Sequence, residues 1–135
     1  MNPTEVAALK PFIDRMIADT QTAKIKWKKS SPTTFVWKKL TNDKPEAQVS
    51  IQKTQQRLIS MEPGQPGRPA RQVIQTTDNF VFQATELPSG GVRVAINTQQ
   101  DPEVRPLLQT LFEVISANAD REAMDFLKRI LESEG

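Results

Sequence analysis

From residue 33 to residue 97, apolar side chains recur at alternate positions, the period of strands with one buried face. Phe35 and Trp37 alternate with Val36, Lys38 and Leu40 over 33–41. Ala47, Val49 and Ile51 alternate with Gln48, Ser50 and Gln52 over 47–54, and 55–61 either continues that strand or adds another. Val73 and Ile74 mark a strand at 71–77. Phe80, Phe82 and Ala84 alternate with Val81, Gln83 and Thr85 over 79–87, and Val92, Val94 and Ile96 point inward over 91–97. An opening strand is expected at 23–30, with Ile25 and Trp27 on one side and Lys24, Lys26 and Lys28 on the other. Turn chemistry separates these runs: Ser30-Ser31-Pro32-Thr33, Thr41-Asn42-Asp43-Lys44-Pro45 and Leu87-Pro88-Ser89-Gly90-Gly91. Residues 62–70 hold three prolines and two glycines, which predicts a flexible loop. Pro63-x-x-Pro66-x-Arg68 in that loop also fits a polyproline-helix ligand, a match short enough to arise by chance.

At the two ends the period changes to 3.6. Asn2-Pro3-Thr4-Glu5 is a helix start, with Asn as the cap, Pro at the first position and Glu at the third. Val6, Leu9, Ile13, Met16 and Ile17 then form one stripe, while Pro11 is expected to kink or split the element. Asp101-Pro102-Glu103 opens a second helix, with Leu107, Leu108, Leu111, Phe112 and Ile115 on its apolar face. Asp120 reads as the cap of a third, carrying Met124, Leu127, Ile130 and Leu131. Such a helix pair suggests a helix-turn-helix. However, Asp120, Glu122 and Asp125 would set carboxylates against phosphates, so DNA reading there is rejected.

The expected fold is therefore α+β: an N-terminal helix, an antiparallel meander sheet of about five to seven strands, and two C-terminal helices, in one domain over 1–135. The opening Ile25-x-Trp27-Lys28, then Val49, Ile51, Gly91, Leu108, Leu111, Phe112, Leu127 and Leu131, resembles a group of small uncharacterised bacterial α+β domains. The resemblance spans roughly 24–132 and rests mostly on core positions. It implies the same meander followed by helices, and no activity. The helix at 3–19 and the loop at 62–70 stand outside it.

Composition narrows the chemistry. The chain has no His, no Cys and no Tyr, which removes the commonest general base, the best nucleophile and the usual nitrogen and sulfur metal ligands. No Gly-Lys-Ser/Thr phosphate loop exists. Asp101, Glu103, Asp120, Glu122 and Asp125 are accounted for as first-turn residues of helices, and no carboxylate falls on an expected inward strand position. No enzyme, cofactor or metal site is expected. No apolar run reaches about eighteen residues, and the N-terminus lacks a signal-peptide pattern, so a cytoplasmic protein with no membrane span is expected.

The net charge of +2 conceals an asymmetry. Residues 24–71 carry eleven Lys/Arg against three Asp/Glu, and residues 72–135 carry five against ten. Opposite halves of this kind complement each other across a homo-oligomer, or offer one side to a polyanion. Two functional readings follow. The first is a protein-interaction or assembly module, with a protein partner or a second copy as a homodimer. The alternative is single-stranded nucleic-acid binding on a basic sheet face by Lys24, Lys26, Lys28, Lys29, Lys38, Lys39, Lys53, Arg57, Arg68 and Arg71. That reading needs Trp27 and Trp37 exposed for base stacking. The alternation instead places Trp27 beside Ile25, opposite the lysines, where the indole belongs to the core. A seven-strand barrel closed by a C-terminal helix, of the phosphoinositide- or peptide-binding kind, ranks below both.

Overall fold

The computed structural model describes residues 2–132. Helix α1 (Pro3–Gln21) starts as its sequence dictates: the Asn2 side chain accepts from the Glu5 N–H at 2.8 Å. Pro11 lies inside α1 and does not split it. Five antiparallel strands follow in the order β1 (Lys28–Ser31), β2 (Thr34–Thr41), β3 (Lys44–Glu62), β4 (Arg71–Glu86) and β5 (Gly91–Asn97), each paired with its sequence neighbours. A 3₁₀ turn (Pro102–Val104) leads into α2 (Arg105–Glu132).

The α+β meander is as expected, at the lower end of the strand count. The strands expected at 47–54 and 55–61 are one strand, and those at 71–77 and 79–87 are another, because β3 and β4 pair without a register shift from Ala47↔Glu86 to Glu62↔Arg71. That continuity brings Asp78 into the strand, on the same side as Phe80, where it pairs with Lys53 at 3.6 Å. The opening strand starts only at Lys28, and Lys24–Trp27 precede it. The two C-terminal helices are one, running through Ala117, Asn118 and Asp120. Val92 is 53% exposed rather than inward, because the pairing slips between Ala84↔Val94 and Thr85↔Val92.

One face of the sheet is the core. Phe35, Ile51, Phe82 and Ile96 lie side by side across four strands and are all nearly inaccessible. Leu108, Leu111, Phe112 and Ile115 of α2 close over them, and α1 packs along α2 with Ile13 buried. The Phe112 ring meets Phe35 at 5.4 Å and Phe80 at 5.6 Å between centroids. Trp27 is half-buried on this side, 6.0 Å from Trp37, and its indole N–H donates to Thr20 Oγ1 at 3.0 Å. The opposite face is a lawn of short polar groups, among them Gln48, Ser50, Gln52, Gln83 and Thr85.

β3 and β4 outrun their neighbours. β2 pairs no further than Thr34↔Gln52, and β5 no further than Val81↔Asn97. The eight pairs from Gln55↔Asp78 to Glu62↔Arg71 therefore form a free two-stranded ribbon, about 27 Å long at the usual rise of ~3.4 Å per residue. The loop at its tip is irregular as expected, turned by Gly67 at φ +85° and a Gln65↔Arg68 bridge.

Candidate assembly surface

α2 can be long because nothing between Leu107 and Glu132 is Gly or Pro. Its first half is anchored at both ends by buried polar groups. At the start, Asn79 and Thr98 are almost fully buried. The Asn79 Oδ1 accepts from Thr98 Oγ1 at 3.2 Å and from Arg105 Nη2 at 3.0 Å, and its Nδ2 donates to Gln56 at 3.2 Å. This ties α2 to the base of the ribbon. Asn79→Leu should cost about 2–3 kcal/mol, because it leaves the buried Thr98 hydroxyl without its acceptor and Arg105 with only the Thr98 carbonyl at 3.4 Å. Urea denaturation monitored by fluorescence of the two tryptophans measures it. At the other end, Asn118 Nδ2 donates to the Thr20 carbonyl at 2.8 Å, and Thr20 Oγ1 donates to the Met16 carbonyl while accepting from Trp27. No sequence period marks Asn79, Thr98, Arg105 or Asn118; only the pairing of β3 with β4 and the path of α2 bring them together.

Beyond Ala119 the helix changes character. Every residue from Asp120 to Glu132 is exposed. Met124 is 66% accessible, Phe126 55%, Leu127 52% and Leu131 74%. At about 100° per residue, Phe126, Ile130, Ala123, Leu127, Leu131 and Met124 fall within an arc of about 160°. Arg121, Lys128, Asp125, Glu132, Arg129 and Glu122 fill the remainder, and Asp120 alone intrudes. The centre of this arc is turned by about a quarter-turn from the packed stripe Leu108–Leu111–Phe112–Ile115, whose continuation passes through Glu122, Phe126 and Arg129 at the border of the arc. The two apolar faces of α2 thus meet at Phe126 and are centred in different directions. Exposed apolar area of this density on one helix end is a mark of an interface.

The ten cations of the polyanion reading are spread over several surfaces. Lys28 pairs with Val36 and Lys38 with Gln48, so both rise from the polar open face. Lys29 pairs with Phe35, and Lys39 follows the Phe35–Trp37 row, so both belong to the helix side. Lys24 and Lys26 lie in the segment before β1. Lys53 is taken by Asp78 and lies 5.9 Å over the Phe112 ring. Arg57 is on the ribbon, Arg68 is in the tip loop, and Arg71 is ion-paired with Glu62. Lys24, Lys26, Lys28, Lys29, Lys38 and Lys39 form no ion pair among the described residues and crowd around one short edge strand.

A concavity of about 550 Å³ lies under the tip loop, lined by Glu62, Pro63, Gln65, Arg68, Pro69 and Arg71. Its lone carboxylate is held by Arg71. Among the described residues no three Asp or Glu side chains gather in a way that could hold a metal ion, and no helix is long and apolar enough to cross a membrane. Comparison with protein-family models, with curated proteins and with solved structures finds no match to this chain.

Proposed function

We propose that the protein is a non-catalytic assembly module that pairs with a second copy of itself through the Asp120–Glu132 half of α2. The carrying observation is the exposed row Met124, Phe126, Leu127 and Leu131 on a helix whose other face is charged. A second copy fits this surface by charge. Glu122 and Arg129 stand two turns apart on the same border of the apolar arc. In an antiparallel pair each Glu122 meets the other copy's Arg129, and the apolar arcs close on each other between them. Arg129 already lies 6.0 Å over the Phe126 ring, at the rim of that arc.

What weighs against the polynucleotide reading is the state of the aromatics. Trp27 is turned inward and hydrogen-bonded to Thr20, which leaves the lysines without a stacking platform. Lysines crowded on a short outer strand also serve to prevent edge-to-edge association.

A charge exchange tests the pairing. Glu122→Arg alone and Arg129→Glu alone should each weaken self-association severalfold, since rim ion pairs are worth about 0.2–1 kcal/mol each and occur twice. The double exchange should restore it. Self-association measured by light scattering that ignores both single variants, or that the double variant fails to recover, removes the antiparallel arrangement.

A further inference from the structure

The outer edge of β4 on the ribbon is bare. Phe80 donates its N–H to Thr98 Oγ1 at 2.9 Å and accepts from the Thr98 N–H at 3.0 Å, so its peptide groups point away from β3. Antiparallel strands alternate, so Thr76, Ile74 and Gln72 point the same way, past the end of β5, where no strand receives them. No turn, loop or cap bond of the described residues uses these groups either.

The other edges are defended. β1 is four residues long, carries Lys28 and Lys29, and shifts register between Lys29 and Ser31. β5 is seven residues long, bulges at Arg93, and has that side chain held by Glu86. The outer edge of β3 on the ribbon carries Arg57. The run Gln72-Val73-Ile74-Gln75-Thr76-Thr77 has no charge, Pro, Gly or bulge. Those are the devices by which sheets keep their edges single, and this edge lacks all of them.

We infer that the β4 ribbon edge is a strand-pairing site, and that its occupant is the same edge of a second copy, joined antiparallel about a twofold axis at Ile74. Three features select a second copy. The run is neutral, so self-apposition brings no like charges together. The outward peptide groups of Gln72 and Thr76 then meet those of the partner's Thr76 and the partner's Gln72, with Ile74 opposite the partner's Ile74. Ile59 also pairs with Ile74 across β3 and β4. These two side chains, 61% and 48% exposed, would continue into a row of four isoleucines across the axis. This contact is separate from the α2 surface, and the two together carry assembly beyond a dimer.

Proline separates the inference from its alternatives. Thr76→Pro removes one outward N–H per copy and leaves the β3 ladder intact, because Thr76 is not bonded to β3. Thr76→Val keeps that N–H. Both are placed in a Leu127→Asp chain, whose α2 contact is removed, and examined by sedimentation equilibrium. The Leu127→Asp chain should still form a dimer. Adding Thr76→Pro should weaken that dimer about tenfold to a hundredfold, for two lost hydrogen bonds, and Thr76→Val should leave it within about twofold. Ile74→Lys, which sets two ammonium groups together on the axis, should reproduce the proline result if the proline variant folds poorly. A Leu127→Asp chain that stays monomeric up to about 1 mM overturns this inference and leaves the α2 pairing standing. A Thr76→Pro effect no larger than that of Thr76→Val overturns it as well. An unchanged mass for Leu127→Asp alone, with loss on Thr76→Pro, overturns the α2 pairing instead.

Discussion

Phe112→Ala is expected to remove about 3–5 kcal/mol of folding stability, whereas Phe126→Ala on the same helix should stay within about 0.5 kcal/mol in dilute solution. The two residues are chemically identical and fourteen positions apart. Phe112 is 9% accessible and packs between the rings of Phe35 and Phe80, under the Lys53 ammonium group. Truncating it leaves a cavity where α2 crosses the sheet, and the surrounding strands cannot close it without breaking the Phe35–Ile51–Phe82–Ile96 row. Small domains have about 5–15 kcal/mol in all, so this single change takes a large share. Phe126 is 55% accessible, and its one ring contact is the exposed Arg129 guanidinium 6.0 Å over it. Urea denaturation at low micromolar concentration, read from Trp27 and Trp37, distinguishes the pair. Equal losses at the two sites would mean that the end of α2 packs within its own chain.

Leu127→Asp is expected to leave the folded monomer intact and to weaken the α2 contact at least about a hundredfold. Leu127 lies near the middle of the apolar arc, between Ala123 and Leu131. In the pair it is enclosed by the other copy's arc, so a carboxylate there loses its water and gains no partner. Both copies carry the change, and the twofold axis brings the two new charges near each other. Exposed as it is in the single chain, the same carboxylate costs only helix propensity, a few tenths of a kcal/mol. Circular dichroism should therefore be unchanged while the mass falls.

Much of the fold is legible in the sequence where one face of an element is buried. The alternation Phe35–Trp37, Val49–Ile51 and Phe80–Phe82 marks three strands and their inward faces, and the same logic turns Trp27 to the core. Legibility ends where the tertiary context decides. Thr77-Asp78-Asn79 reads as a break, yet pairing with Thr54-Gln55-Gln56 carries β4 through it. Asp120 reads as the cap of a new helix, yet Asn118 and Asp120 are only weak helix formers, and α2 runs across them. Met124, Leu127 and Leu131 are visible as an apolar face, but a sequence does not say that this face is left uncovered. The bare β4 edge was hidden for the same reason: Gln72–Thr77 is unremarkable until β5 is seen to end at Asn97.

Sedimentation equilibrium of the Thr76→Pro chain, with and without Leu127→Asp, isolates the α2 pairing from the ribbon. Pairing through α2 gives a species of twice 15.2 kDa for Thr76→Pro alone and 15.2 kDa once Leu127→Asp is added. A Thr76→Pro chain that sediments at 15.2 kDa at every concentration up to about 1 mM would contradict it.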